Sequence, residues 1–287
     1  SADIIVGTPA TNANLVVSEI YYNPSGADES TEWIELMNIA GGTIDLTGVS
    51  LTGITYTVPA GTLLASGERL VIVKDQAAFA AAYDTAGLNI APGVFTSSLS
   101  NSGEEIALID ATGLVDIQRF QYLDVSPWPA APDGDGYSLV LINPRDSPDH
   151  GIGTNWRSSV ALGGSPGTSD AGTFTGDPNA DSDGDGLSAF LEHALGSLDG
   201  DAGASPESRI QATIGSYNGG PEQNLTITFR RSLAADDVLL EVQTSEDLVS
   251  WSALGTQLVS TVSNGDGTDT VTFRSTTPVP SQAKEFI

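Results

Sequence analysis

Apolar and polar residues alternate with a period of two in short runs along most of the chain, and Gly, Pro, Asn and Asp separate these runs. Such a pattern predicts short strands of antiparallel sheets. The predicted strands of the first half are 15–22, 32–38, 47–51, 56–58, 69–73, 105–110, 114–120 and 137–142. The alanine-rich segment 76–83, with Phe79 and Tyr83, predicts one short amphipathic helix over the sheet. The first half therefore predicts an antiparallel sandwich.

The same alternation returns near the end of the chain. The predicted strands there are 209–214, 223–229, 238–244 and 268–273, and Asn264-Gly265-Asp266-Gly267 predicts a hairpin turn. The last residues, 284–287, have the pattern of a further strand that has just begun. Two explanations stay open: the chain is cut within that strand, or a strand from a neighbouring subunit closes the sandwich. Ile4, Ile5 and Val6 are the candidate donor for the second explanation.

Between the two β-rich halves, residues 181–192 read Asp-Ser-Asp-Gly-Asp-Gly-Leu-Ser-Ala-Phe-Leu-Glu. Calcium loops of the EF-hand type place oxygen ligands at positions one, three, five, seven and twelve, with glycine at six for a sharp turn. These ligand positions are held by Asp181, Asp183, Asp185, Leu187 through its backbone carbonyl, and Glu192. Position nine is Ala189, which has no side-chain oxygen, so a water has to complete the coordination. We therefore expect a Ca²⁺ site of modest affinity.

The loop has only half of the usual helix–loop–helix frame. Residues 164–178 are rich in Gly, Pro, Ser and Thr and predict no entering helix. Residues 188–195 have apolar positions at helical spacing, and Gly196 is placed to end that helix. The alternative, a solvated acidic turn, leaves unexplained why mutually repelling carboxylates stand at ligand positions. Further oxygen-bearing side chains flank the loop and leave additional calcium sites open: Asp177, Asn179, Asp199 and Asp201.

The composition of the chain disfavours some classes of partner and favours others. The 287 residues suffice for two domains, and 37 acidic against 10 basic residues give a formal net charge of −27. This charge disfavours nucleic acid and anionic membrane surfaces as partners and favours cations. The chain has no cysteine, which excludes disulfides and thiolate metal sites. A calcium loop of modest affinity fills best outside the cell, so we expect an extracellular protein, secreted or on the cell surface.

A series of motifs runs in order through residues 14–168. They are Val17-Ser18-Glu19-Ile20-Tyr21-Tyr22-Asn23-Pro24, Glu32-Trp33-Ile34-Glu35-Leu36-Met37-Asn38, Asp45-Leu46-Thr47-Gly48, Val58-Pro59-Ala60-Gly61-Thr62, Leu70-Val71-Ile72-Val73, Ser100-Asn101-Ser102-Gly103-Glu104, Gly136-Tyr137-Ser138-Leu139, and Trp156 with Gly163-Gly164-Ser165-Pro166-Gly167. Together they resemble a bacterial lamin tail domain. The resemblance implies an immunoglobulin-like β-sandwich that serves as an accessory module of secreted or surface proteins, and it brings no catalytic residue.

Two weaker resemblances cover the rest of the chain. The loop 181–192 resembles the Asp-rich calcium loops of dockerins and thrombospondin type 3 repeats. The C-terminal half resembles the small β-sandwiches that end many secreted bacterial proteins. Both resemblances imply an extracellular setting.

Three glutamates and two tryptophans are candidates for a catalytic or a sugar-binding site. Glu19, Glu32 and Glu35 include candidates for a glycosidase carboxylate pair, but their alternate placement on predicted strands favours outward-facing surface charges. Trp128 and Trp156 are candidates for stacking on a sugar ring, or for plugging the open end of the sandwich.

The remaining candidates for chemistry are sparse. Asp133 and Asp135 could bind a second cation, but the absence of a glutamate at the twelfth position favours a plain turn. His150 and His193 have no metal or triad partner nearby in sequence, and no Gly-x-Ser-x-Gly motif occurs. The sequence therefore predicts that the chain is not an enzyme.

The sequence predicts an all-β chain with two immunoglobulin-like β-sandwich domains joined by a calcium-binding loop with one short helix. Residues 1–13 are an N-terminal strand or linker, 14–168 the lamin tail-like sandwich, 169–206 the Asp-rich calcium-binding linker, and 207–287 the C-terminal sandwich. We expect Ca²⁺ to neutralise the linker and to fix the angle between the flanking domains, because metal binding to an unformed site contributes folding free energy.

The expected function is that of a non-enzymatic, extracellular, calcium-stabilised structural or adhesive module of a secreted or cell-surface bacterial protein. Two alternatives remain: an accessory domain of a larger secreted enzyme, and a subunit of a surface filament assembled by strand exchange. Besides calcium, the candidate partners are other cell-surface proteins, glycans and further copies of the chain. Nucleic acid and membrane insertion are not expected.

Overall fold

The structure is a computed structural model that describes residues 7–26, 28–205, 209–216, 222–279 and 286–287. The chain divides into two compact units, Ser1–Asp170 and Ala171–Ile287. The predicted donor strand at residues 4–6 lies outside the described residues, as does the first half of the predicted strand at 284–287.

The described residues of the first unit form twelve short strands and one α-helix. They are β1 (Thr8–Pro9), β2 (Leu15–Tyr21), β3 (Trp33–Asn38), β4 (Ile44–Asp45), β5 (Ser50–Thr52), β6 (Tyr56–Thr57), β7 (Leu63–Leu64), β8 (Arg69–Val73), α1 (Gln76–Ala82), β9 (Glu104–Ile109), β10 (Asp116–Tyr122), β11 (Leu139–Leu141) and β12 (Trp156–Ser158). An antiparallel five-stranded sheet has the order β12-β11-β2-β3-β8, and an antiparallel four-stranded sheet has the order β10-β9-β5-β6. A small third sheet, β1-β4-β7, contains a parallel pairing of β1 with β4.

The core of the first unit follows from the alternation along the strands. Ile20, Ile34 and Ile72 are register partners on three neighbouring strands and are fully buried. They belong to one apolar cluster with Ile106 and Leu108 of the four-stranded sheet. The two larger sheets therefore pack face to face, and the prediction of an all-β, immunoglobulin-like sandwich is confirmed.

The other face of the five-stranded sheet is also covered. Trp33 and Val73 form a second apolar cluster with Phe79 of α1. Asp75 caps this helix by accepting hydrogen bonds from the backbone N–H groups of Ala77 and Ala78, at 2.8 and 2.9 Å. Because both faces are covered, strands β2 and β3 are buried along their whole length.

The described elements of the second unit include one α-helix and four strands. They are α2 (Ala189–Leu195), β13 (Ile210–Ser216), β14 (Gln223–Ser232), β15 (Thr256–Ser263) and β16 (Thr268–Val279). The strands form one antiparallel sheet of order β13-β14-β16-β15, and the predicted turn at 264–267 joins β15 to β16. No helix in the described ranges is long and apolar enough to cross a membrane.

The predicted strand 238–244 is not a strand in the structure. Buried and exposed side chains do alternate along this segment. Leu240 and Val242 pack on the apolar cluster of the second unit, whereas Leu239 is 89% exposed. The segment has no strand ladder with another described segment, apart from an isolated bridge from Thr244 to Ser252. Alternation reports which side chains are buried, but a strand also needs a neighbour for its backbone.

Candidate metal centre

The backbone of the Asp-rich loop holds its carboxylates in place. Asp181 accepts hydrogen bonds from the N–H groups of Gly184 and Gly186, at 2.8 and 3.2 Å. Asp183 accepts from Asp185 N–H at 3.1 Å, and Asp185 accepts from Leu187 N–H at 2.7 Å. Gly184 and Gly186 have φ angles of +76° and +95°, which only glycine adopts without strain. The chain therefore folds back on itself so that alternate side chains point inward.

Three of the predicted ligands converge. One carboxylate oxygen from each of Asp181, Asp183 and Asp185 lies within 4.8 Å of the other two. The second oxygens of Asp183 and Asp185 are buried and have no hydrogen-bond partner within the described ranges. In the described part of the chain, these three aspartates are close enough together to bind one metal ion.

Glu192 supplies an observation that is independent of the aspartates. It lies in the first turn of α2, its side chain is 1% exposed, and neither carboxylate oxygen has a hydrogen-bond partner among the described residues. Burial raises the pKa of Glu192; the nearby Ser197 hydroxyl opposes this shift, and the charges of Asp183 and Asp185 add to it. An unpartnered buried carboxylate is costly, so a cation between Glu192 and the aspartates would satisfy it.

Helix α2 begins and ends where the sequence predicts. The hydroxyl of Ser188 caps its first turn by accepting a hydrogen bond from Leu191 N–H at 3.4 Å, and Gly196 ends it in the left-handed conformation at φ 75°. Ala189, the ninth loop position, is the first residue of the helix. These boundaries fix Glu192 at the base of the loop.

Leu187 connects the loop to the core of the second unit. Its side chain is 1% exposed and belongs to one apolar cluster with Leu195, Phe229 and Val271. Its backbone carbonyl is the predicted ligand at position seven. The Asp-rich loop and its helix therefore share the core of the second unit, which begins at Ala171.

The acids flanking the loop have different partners. Asp199 accepts two hydrogen bonds from Ser182, one from the backbone N–H at 2.9 Å and one from the hydroxyl at 2.6 Å. Asp177 and Asp201 accept hydrogen bonds from backbone groups two residues further along their own turns. In the first unit, Asp133 accepts a hydrogen bond from the Asn23 side chain at 2.6 Å, as expected for a structural turn.

The structure corrects the assignment of three glutamates to the surface. Glu19, Glu32 and Glu35 are only 2%, 0% and 1% exposed, so the prediction of outward-facing charges was wrong. The strand face that carries Glu19 and Glu35 is covered by α1 and by residues 163–168, here called the strap. Alternation correctly placed these two side chains away from the sandwich core, but it did not show that the opposite face is covered too.

Glu19 and Glu35 hold the strap in place. Glu19 accepts hydrogen bonds from the backbone N–H and the hydroxyl of Ser165, at 2.8 and 2.9 Å, and from the hydroxyl of Ser138. Glu35 accepts from Gly167 N–H and from the Ser18 hydroxyl, both at 2.6 Å, and pairs with Arg69 at 2.9 Å. All four carboxylate oxygens are engaged in these contacts.

Glu32 is engaged in the same manner by other segments of the first unit. Its carboxylate pairs with Lys74 at 3.1 Å and accepts a hydrogen bond from Leu99 N–H at 2.8 Å. Burial raises the pKa of Glu32 to about 7, and these two contacts oppose that shift. Glu32 therefore fastens a loop rather than facing a cleft.

The tryptophans and histidines are also structural. Trp128 and Trp156 are 6% and 2% exposed and stack at 6.1 Å between ring centroids, so they plug the sandwich and present no face to a sugar. His150 is buried beside Trp156, and burial lowers its pKa to about 4. His193 pairs with Asp237 at 2.8 Å.

Residues 8–124 match the family model described as Lamin Tail Domain. The match confirms the predicted resemblance over that range, which contains β1 to β10 and α1. Strands β11 and β12 lie beyond it and complete the five-stranded sheet. The predicted likenesses of the Asp-rich loop and of the C-terminal half stay predictions. No curated protein and no solved structure matches the chain.

Proposed function

We propose that the chain is a non-enzymatic structural module of an extracellular bacterial protein, secreted or on the cell surface, and that Ca²⁺ bound at residues 181–192 stabilises its second unit. The match to the Lamin Tail Domain family indicates a structural module. The observation that carries the calcium proposal is Glu192, whose buried carboxylate lies beside three converging aspartates and has no hydrogen-bond partner in the part of the chain that the structure describes.

The donor set favours Ca²⁺ among the common metal ions. It consists of carboxylate oxygens and a carbonyl oxygen, with neither thiolate nor imidazole, and such hard ligands suit Ca²⁺. Four carboxylates also repel one another until a cation neutralises them. Asp181, Asp183, Asp185 and Glu192 would supply the side-chain oxygens, and Leu187 the carbonyl.

Calcium would stabilise the second unit through Leu187 and α2. Both belong to the apolar cluster that rests on Phe229 and Val271 of the sheet, so a loop held by an ion also holds this part of the core. A ligand present at 100 times its Kd stabilises the folded state by about 2.7 kcal/mol. The predicted effect of calcium on the angle between the two domains stays a prediction.

The missing side-chain ligand at Ala189 supports the extracellular part of the proposal. A site that relies on water at position nine is expected to be weak, and calcium sites of extracellular modules have Kd values of about 10⁻⁴–10⁻³ M. A measured Kd near 10⁻⁷ M or below, roughly that of intracellular sensors, would speak against an extracellular role.

Thermal unfolding of the full chain in calcium and in chelator tests the proposal. We expect calcium to raise the unfolding temperature of the second unit, and Asp185→Ala to abolish that increase. Asp135→Ala is the matched control, because Asp135 also lies in an Asp-Gly turn but is exposed in the first unit. Equal unfolding temperatures in calcium and in chelator would refute the proposal.

A further inference from the structure

A carboxylate outside the loop holds the loop in shape. Asp199 lies 17 positions beyond Ser182, past the end of α2. Its Oδ1 accepts a hydrogen bond from Ser182 N–H at 2.9 Å, and its Oδ2 accepts from the Ser182 hydroxyl at 2.6 Å. Ser182 stands between Asp181 and Asp183, two of the proposed ligands. Asp199 therefore fixes the segment that carries them.

The chain after α2 is shaped to bring Asp199 back to the loop. Gly196 adopts the left-handed conformation, and Ser197 N–H donates to the Glu192 carbonyl at 2.9 Å. A tight turn follows, in which Gly200 N–H donates to the Leu198 carbonyl at 2.7 Å. The loop, the helix and the returning turn thus form a closed ring, and the contact between Asp199 and Ser182 closes it.

We propose that Asp199 is a positioning residue of the calcium site, which holds the loop in its ion-binding conformation through Ser182. This inference rests on the proposed function of the loop. Both Asp199 oxygens accept hydrogen bonds from Ser182, so Asp199 holds the loop at the residue between two of the proposed ligands. Groups that orient ligands in this way change metal affinity by about 10–100-fold when they are removed.

The contact also opposes the repulsion within the loop. Without an ion, Asp181, Asp183 and Asp185 push one another apart, and the loop gains freedom by opening. Two hydrogen bonds to a carboxylate anchored beyond the helix restrict that opening. Less conformational freedom then has to be lost when the ion binds, which raises the affinity.

Calcium titration calorimetry on the full chain tests the inference with four proteins: wild type, Asp199→Ala, Ser182→Ala and the double variant. Asp201→Ala is the matched control, because it removes the same charge from the same turn, while Asp201 accepts its hydrogen bond from Gly203 N–H. We expect Asp199→Ala to raise the Kd by about 10-fold or more. Asp201→Ala should raise it far less. Ser182→Ala should weaken binding without any change of charge.

The double variant distinguishes positioning from a general charge effect. If Asp199 acts through Ser182, the double variant binds calcium no more weakly than Asp199→Ala alone, because interacting residues are not additive. The inference would be overturned if the losses of calcium affinity in the two single variants added up in the double variant. It would also be overturned if Asp199→Ala and Asp201→Ala had equal Kd values. Either result would leave the proposed calcium site itself standing. A wild-type chain that binds no calcium would instead overturn the proposed function, and this inference with it.

A second measurement separates a positioning residue from a ligand. Terbium luminescence lifetimes in H₂O and D₂O count the waters on a bound lanthanide. We expect the same count in wild type and Asp199→Ala, and a higher count in Asp183→Ala, which removes the ligand oxygen at position three. One additional water in Asp199→Ala would identify Asp199 as a direct ligand and refute the positioning role. Unfolding curves in chelator, matched between Asp199→Ala and Asp201→Ala, verify that both variants fold.

Discussion

Glu19 and Glu35 are register neighbours on β2 and β3, and both carboxylates are buried under the strap that they hold. Burial raises the pKa of Glu19 to about 7. Burial, together with the charge of Glu19, raises the pKa of Glu35 to about 8, while the Arg69 guanidinium opposes this shift. The strap is therefore fastened to two groups that change charge near neutral pH.

The first unit should lose stability progressively as the pH rises from about 4.5 to about 8. In the unfolded chain these carboxyls ionise near 4.5, so above that pH the folded state binds more protons. Their contribution to the free energy of unfolding is complete below about pH 4.5 and declines as the pH rises through the two folded pKa values. Urea unfolding at several pH values, followed by tryptophan fluorescence, measures this decline, because Trp33, Trp128 and Trp156 are all buried in the first unit.

Two variants show which groups cause the pH dependence. The double variant Glu19→Gln/Glu35→Gln removes both titrating groups. The stability of its first unit should therefore depend less on pH between about 4.5 and 8. Glu105→Gln removes an exposed carboxylate on β9 and should keep the wild-type slope. An unchanged slope in the double variant would show that other groups are responsible.

Gly164→Ala should destabilise the first unit more than Gly61→Ala does. Both glycines have positive φ angles, +77° and +81°, so alanine at either position costs about 1–2 kcal/mol of backbone strain. A Cβ at Gly61 would meet nothing within 4 Å, whereas one at Gly164 would lie 2.5 Å from Glu19 Oε1 and 2.9 Å from Trp33 Cζ2. Overpacking of this kind adds about 1–3 kcal/mol. Equal free energies of unfolding for the two variants would show that the strap does not pack against Glu19.

The sequence predicts those features that depend on neighbouring residues. The strand Arg69–Val73 and the helix Gln76–Ala82 appear where period-two alternation and an alanine-rich stretch predict them. The helix Ala189–Leu195 follows from its cap residues. The loop carboxylates were found because their ligand spacing is local.

Features that depend on distant segments were missed or misread. Glu19 and Glu35 looked like surface charges because their cover is the strap, more than 130 positions away in sequence from either residue. The sequence predicts Asp199 only as a candidate for an additional calcium site, since its contact with Ser182 requires the return of the chain after α2. Val242 alternates correctly but has no strand ladder with another described segment, which no local pattern reveals.

Leu187→Ala should destabilise the second unit in calcium as well as in chelator. The substitution keeps the backbone carbonyl but removes a side chain buried against Phe229 and Val271, which costs about 2–5 kcal/mol. Leu198→Ala is the control, because that side chain is 77% exposed and its removal should cost no more than about 0.5 kcal/mol. Thermal unfolding of both variants under both conditions measures the difference. A loss confined to the calcium-bound state would mean that Leu187 serves ion binding alone.

Glu192→Gln should have opposite effects with and without calcium. In chelator at about pH 8, it removes a buried, unpartnered charge that is repelled by Asp183 and Asp185, so the second unit should become more stable by ~1 kcal/mol or more. In calcium it removes a ligand, so the increase in unfolding temperature caused by the ion should shrink. Glu222→Gln, at an exposed position, should change neither value. Paired unfolding curves in calcium and chelator measure both effects. If Glu192→Gln lowers stability equally under both conditions, Glu192 acts as an ordinary core residue and not as a metal ligand.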